Sequence, residues 1–124
     1  MNKLDKSEFL ELIKKEILKE NLIIVEGKKD LNSLVYIGFD KKNIFVLNNG
    51  KSFFENIETI NEILTNKKIK VSILTDIDKK GKLLYDKIKK EITNKNKIDD
   101  NLRNQLINQK ISHVEGLSSY LCLD

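Results

Sequence analysis

Three short apolar runs constrain this chain more than any other feature: Leu22-Ile23-Ile24-Val25, Ile44-Phe45-Val46-Leu47 and Val71-Ser72-Ile73-Leu74-Thr75. Each is rich in β-branched residues and too short to be a helix of its own. Each also ends in polar residues: Glu26-Gly27, Asn48-Asn49-Gly50 and Asp76-Ile77-Asp78. A strand that is apolar at nearly every position has both faces covered, which happens when a parallel sheet lies between layers of helices. The segments around the runs carry apolar residues at helical spacing over residues 7–20, 29–37, 52–65, 80–92 and 101–108, with Gly38 closing the second. Strand and helix alternate, so the expected class is α/β, a Rossmann-like parallel sheet flanked by helices with right-handed crossovers. A weak edge strand around Lys97-Ile98 would bring the sheet to four strands. Ser112-His113-Val114-Glu115 matches a capping box, with Glu115 as its acidic member, and starts a last short helix reaching Leu121.

The chain has 124 residues, the size of one domain. It divides into an N-terminal helix over residues 1–20 and an α/β body over residues 21–124. No apolar run approaches the roughly 20 residues of a bilayer span, and the start lacks a signal-peptide stretch. One cysteine, Cys122, excludes an internal disulfide and fits a reducing cytosol, so a cytoplasmic location is expected and Cys122 is assigned to packing. One histidine and one cysteine cannot build a structural zinc site alone. Any metal should be a hard ion held by carboxylates. The 23 basic and 19 acidic residues leave a net charge of +4, nearly all from lysine, with Arg103 the only arginine. That balance permits a nucleic-acid partner without demanding one.

The acids stand where chemistry is expected. In an open parallel sheet the functional crevice lies beyond the carboxyl ends of the strands. Glu26 follows the first run, and Asp76 and Asp78 follow the third, so three carboxylates converge on one edge. Crowded carboxylates repel one another unless a cation neutralises them, and Mg²⁺, bound through a few carboxylates and several waters, is the natural one. Each acid also has a plain structural reading. Asp78 would cap the helix that starts near Lys80, and Glu26 would be a solvated loop residue. Asn48-Asn49-Gly50-Lys51-Ser52 imitates the end of a phosphate-binding loop, but a Walker A motif needs glycine where Phe45 stands. Gly50 and Lys51 would then touch one phosphate or simply form an Asn-Gly turn. His113 is expected at the surface. Tyr36, Phe53 and Tyr85 fall at helical core spacing.

Two segments resemble a known family. Ile23-Ile24-Val25-Glu26-Gly27-Lys28-Lys29-Asp30 is similar to the glutamate motif of Toprim domains, and Ile73-Leu74-Thr75-Asp76-Ile77-Asp78-Lys79-Lys80-Gly81 to their Asp-x-Asp motif. Toprim domains occur in topoisomerases, bacterial-type primases, certain nucleases and the ribonuclease that matures 5S ribosomal RNA. Asn49-Gly50, Gly81, Lys97-Ile98-Asp99 with Arg103 and Leu106, and Val114-Glu115-Gly116-Leu117 resemble the small ribonuclease-type branch and small stand-alone archaeal Toprim proteins. The resemblance implies a Toprim fold, with Asp76 and Asp78 holding Mg²⁺, or Mn²⁺ in its place. It implies Glu26 as general acid/base or metal ligand. It also implies phosphodiester cleavage or nucleotidyl transfer on RNA or DNA, of nuclease or primase type. Lys28, Gly50, Lys51 and Arg103 are then the candidates for contact with phosphate. Lys80 stands where topoisomerases carry a third acid, and Ile77 and Lys80 stand where the ribonuclease type carries proline. The alternative is a Toprim module that binds RNA or a protein partner without chemistry. A phospho-accepting receiver domain would carry its acidic pair on the first strand and is set aside.

Overall fold

The first apolar run, β1 (Leu22–Val25), lies at the centre of a three-stranded sheet with β2 (Ile44–Val46) on one side and β3 (Val71–Ile73) on the other. Both pairings are parallel, with Ile24 opposite Phe45 in β2 and Ile73 in β3. The structure, a computed structural model, describes residues 3–121. Cys122 therefore lies outside the described residues.

Side chains alternate across a strand, and β1 feeds two separate cores. Ile23 and Val25 join Phe9 and Ile13 of α1 (Lys6–Leu18), Leu34 and Ile37 of α2 (Lys28–Ile37), Leu102 and Leu106 of α5 (Asn101–Asn108), and Leu117 and Leu121 of α6 (Leu117–Leu121). Leu22 and Ile24 join Ile57, Ile60 and Leu64 of α3 (Phe53–Asn66), Val71 and Ile73 of β3, Ile88 of α4 (Lys79–Glu91) and Ile92. At roughly 1.5–3 kcal/mol for each buried aliphatic side chain, these two layers supply the main driving force for folding. The N-terminal helix shares the core of the body, since Phe9 and Ile13 are fully buried within it.

The chain runs from β1 outward to β2, then crosses back over β1 to β3. The direction of winding therefore reverses between β1 and β3, and a crevice opens there beyond their carboxyl ends.

Several expectations are corrected. Among the described residues the sheet has three strands, not four. The segment around Lys97-Ile98 is a short 3-10 turn, Lys95–Lys97, followed by a single parallel bridge between Ile98 and Val71. Tyr36 is exposed, because it falls outside the stripe that α2 buries with Leu34 and Ile37. The capping box at residues 112–115 does not form. A 3-10 turn, Val114–Gly116, precedes α6, with His113 in the cap position and no side-chain cap. The carbonyl of Ser112 instead accepts a hydrogen bond from the Ile77 amide at 2.7 Å.

Candidate metal centre at the carboxyl edge of the sheet

Glu26 leaves the end of β1 and reaches across the crevice. Its Oε2 accepts a hydrogen bond from the Asp76 backbone N–H at 2.8 Å, which ties the two strand ends together. Asp76 is held in turn. Its Oδ1 accepts from the Val114 amide at 3.0 Å, and its Oδ2 lies 3.4 Å from His113 Nδ1. Asp78 is the N-cap of α4, and its Oδ1 accepts from the Gly81 amide at 2.8 Å. The structural reading of Asp78 is thus realised, yet its other oxygen, Oδ2, lies 4.0 Å from the same His113 nitrogen. One ligand atom each from Asp76, Asp78 and His113 fall within 4.8 Å of one another.

The loop that carries the aspartates admits no side chain where α4 begins. A Cβ added at Gly81 would stand 2.0 Å from the Asp76 carbonyl oxygen. Thr75 Oγ1 donates to the Gly81 carbonyl at 2.6 Å and closes the same loop from inside. The first turn of α4 therefore sits directly on the backbone of Asp76.

The site is crowded with negative charge. Asp30, at the third position of α2, accepts from the Gly27 amide at 3.0 Å. Burial raises its pKa above the ordinary carboxylate value, and the charges of Asp76, Glu26 and Glu115 push it the same way. Around this centre stand exposed lysines: Lys28 and Lys29 in the first turn of α2, and Lys79, Lys80 and Lys82 in the first turn of α4. Both helices begin at the carboxyl edge, so their N-terminal amides add positive potential there.

The remaining candidates lie elsewhere. Gly50, at φ +84°, and Lys51 are exposed in the turn after β2, on the opposite side of β1 from the Asp76 loop. That turn is closed by its own side chains: Lys51 N–H donates to Asn49 Oδ1 at 3.0 Å, and Asn49 Nδ2 donates to Asn56 Oδ1 at 2.8 Å.

Arg103, expected to face phosphate from a polar helix, is instead only 4% exposed. The outward carbonyls along β3 explain why. The Val71 carbonyl accepts from the Asp99 amide at 2.8 Å. The next two carbonyls on that edge, of Ile73 and Thr75, accept from Arg103 Nη1 at 3.3 and 2.6 Å, and Nη2 reaches the Asp76 carbonyl at 3.2 Å. Buried carbonyls need donors. Where the fourth strand is reduced to one bridge, the Arg103 guanidinium takes its place, stacked 4.3 Å above the Tyr85 ring.

Reasoning from the sequence missed His113 as a site residue. Nothing in local spacing marks it, because it reaches the aspartates only through the tertiary placement of the loop before α6.

No protein-family model matches the chain. The UPF0292 protein MJ1624 of Methanocaldococcus jannaschii is 32% identical over 108 residues, covering 83% of this chain and 80% of the relative. A solved structure of a protein from Aquifex aeolicus matches with a TM-score of 0.69 at 30% identity, covering 88% of this chain and 94% of that one. With identity at that level across most of both sequences, the chain belongs to the UPF0292 family.

Proposed function

We propose that this protein is a Toprim-fold enzyme that uses a divalent cation, Mg²⁺ in the first instance, to cut or form phosphodiester bonds in RNA or DNA. The observation that carries the reading is the meeting of Glu26 with the Asp76–Asp78 loop at the point where the sheet reverses its winding. The donor set suits a hard cation. Asp76 and Asp78 each have one oxygen oriented by a backbone amide, and their second oxygens face a common point beside His113. The excess of carboxylates felt by Asp30 is charge that a cation would relieve.

In this reading Asp76 and Asp78 hold the ion, which supplies charge stabilisation to the phosphoryl and leaving oxygens. Glu26 exchanges a proton with the attacking or departing hydroxyl. Lys28, Lys29, Lys79 and Lys80 draw the phosphate backbone toward the edge, and the N-termini of α2 and α4 add to that field. Gly50 and Lys51, past β2, offer a further phosphate contact along the same edge. Arg103 acts from behind, holding the strand end that carries Asp76.

The test is incubation of the protein with structured RNA, single-stranded DNA and supercoiled plasmid, with Mg²⁺ or with EDTA. It is repeated with a double variant, Asp76→Asn and Asp78→Asn, which keeps the cap of α4 because asparagine caps as well as aspartate. Product formed with Mg²⁺ and lost in the double variant supports the enzyme. Retarded migration without product identifies a nucleic-acid-binding module instead. Neither product nor retardation overturns the reading.

A further inference from the structure

The geometry points to His113 as a nitrogen ligand of the Asp76–Asp78 centre, which makes the centre prefer Mn²⁺ and Co²⁺ to Mg²⁺. This rests on the metal reading above and goes beyond it, since an all-carboxylate site has no reason to prefer transition ions by their affinity for nitrogen.

His113 is held in place from both sides. Its two neighbours in the chain are both fixed to the aspartate loop: the Ser112 carbonyl accepts from the Ile77 amide at 2.7 Å, and the Val114 amide donates to Asp76 Oδ1 at 3.0 Å. Bonds on either side leave the histidine little freedom except about its own side-chain torsions. Its Nδ1 then faces Asp76 Oδ2 at 3.4 Å and Asp78 Oδ2 at 4.0 Å. Around an octahedral ion with bonds of about 2.1 Å, ligand atoms sit roughly 3 Å apart when adjacent and about 4.2 Å apart when opposite. Both separations from Nδ1 lie between these two values, and all three ligand atoms lie within 4.8 Å of one another. The Asp78 and His113 side chains are 45% and 53% exposed, so both can adjust and water has access to the remaining positions.

The preference follows from donor chemistry. Mg²⁺ takes oxygen ligands and gives up its waters reluctantly, so an imidazole adds little to its binding. Affinity for a nitrogen-containing site rises from Mn²⁺ to Co²⁺ along the first transition row. A set of two carboxylates and one imidazole therefore binds Mg²⁺ through its oxygens alone and the later ions through all three groups.

The test is calorimetric titration of the whole chain with Mg²⁺, Mn²⁺ and Co²⁺, together with electron spin-echo spectroscopy of bound Mn²⁺. Wild-type protein is expected to bind Mn²⁺ about tenfold or more tightly than Mg²⁺ and to show nitrogen modulation in the echo. His113→Ala should lose the modulation and roughly 10- to 100-fold in Mn²⁺ affinity, the range seen when a group supporting a metal site is removed. Its Mg²⁺ affinity should change by less than about threefold, because Mg²⁺ relies on the carboxylates. The echo experiment uses wild-type protein, so it decides the matter even if the variant folds poorly. Absence of nitrogen modulation, or an equal loss of Mg²⁺ and Mn²⁺ binding in His113→Ala, overturns the assignment. If metal binding survives His113→Ala unchanged but disappears in the Asp76→Asn, Asp78→Asn double variant, the metal centre stands and the histidine does not. If wild-type protein binds none of the three ions, both readings fail together.

Discussion

Glu26 and Asp76, fifty positions apart, are joined by a hydrogen bond of 2.8 Å from the backbone of one to the side chain of the other. The bond spans the crevice between the central strand and β3, so the residue best placed to move a proton also sets the position of the residue best placed to hold a metal. On the proposed function one side chain has both a structural and a chemical role, and substitution can separate them.

Glu26→Ala leaves the half-buried Asp76 N–H without its acceptor, which should lower stability by about 1–3 kcal/mol. Glu26→Gln retains an acceptor oxygen at the same reach, and the loss should stay below about 1 kcal/mol. In the proposed nucleic-acid reaction the two variants converge, because neither glutamine nor alanine can exchange the proton, and the rate should fall by roughly 10²- to 10⁴-fold in both. Urea denaturation and initial rates on the two variants check both statements. A glutamine variant with full stability and full rate would remove Glu26 from the chemistry.

Gly81 is the second point where fold and site coincide. A methyl group there would enter the backbone of Asp76, which cannot move without pulling on Glu26, Val114 and Arg103. Gly81→Ala should therefore cost about 3 kcal/mol or more, at or above the top of the usual range for overpacking. Gly50→Ala is the informative comparison. Its surroundings are open, and only its φ of +84° opposes the change, so roughly 1 kcal/mol is expected. Equal losses in the two variants, measured by chemical denaturation, would contradict the close contact at Gly81.

The sheet was legible because burial on both faces leaves a plain mark: Leu22–Val25 is apolar throughout, and all four residues are buried. The acids were legible because in a parallel sheet every strand-to-helix loop leaves from the same carboxyl edge, where ligands bind, and Glu26, Asp76 and Asp78 all follow strands at that edge. His113 was not legible, since its position depends on hydrogen bonds made by Ser112 and Val114 to a loop distant in sequence. Nor was the fate of Arg103. Periodicity registers apolar residues, and a buried guanidinium standing in for a strand has the same local pattern as an exposed one. The missing fourth strand and the buried arginine are one event, because the carbonyls that Ile98 and its neighbours leave open are those that Arg103 covers.

Asp30 gives the pH dependence its sign. Its native pKa is raised by burial and by the nearby acids, whereas in the unfolded chain it titrates near the ordinary value of 3.8. Between those two values the native state holds more protons than the unfolded state, so this group's contribution to stability declines as pH rises through the native pKa. Above it, the ionised carboxylate is a constant penalty. Asp30→Asn removes the charge and keeps an oxygen for the Gly27 amide. The variant should be more stable than wild type at neutral pH, and the difference should close as pH falls toward 3.8. Thermal melts of the two proteins from neutral to acid pH measure this, and a gap that widens on acidification would show the sign to be wrong.

Arg103 stands in for a strand at the edge of β3. If its role is to satisfy the carbonyls of Ile73, Thr75 and Asp76, truncation should be felt as lost stability before anything else. Arg103→Ala removes donors from three carbonyls and the stack on Tyr85, and should cost roughly 3 kcal/mol or more, since hydrogen bonds from a charged donor contribute about 1.5–3 kcal/mol each. Arg103→Lys retains the charge but not the planar fork that reaches three carbonyls at once, so it should recover only part of that loss. A phosphate-contacting arginine behaves differently: its lysine variant keeps most of the electrostatic attraction, and its alanine variant lowers the salt dependence of nucleic-acid binding by about one unit of slope. Denaturation midpoints for the two variants, read beside the salt dependence of binding measured where both are folded, separate the cases. Stability lost with the slope unchanged is the expected result. A stable Arg103→Ala protein with a reduced slope would return Arg103 to the surface of the site.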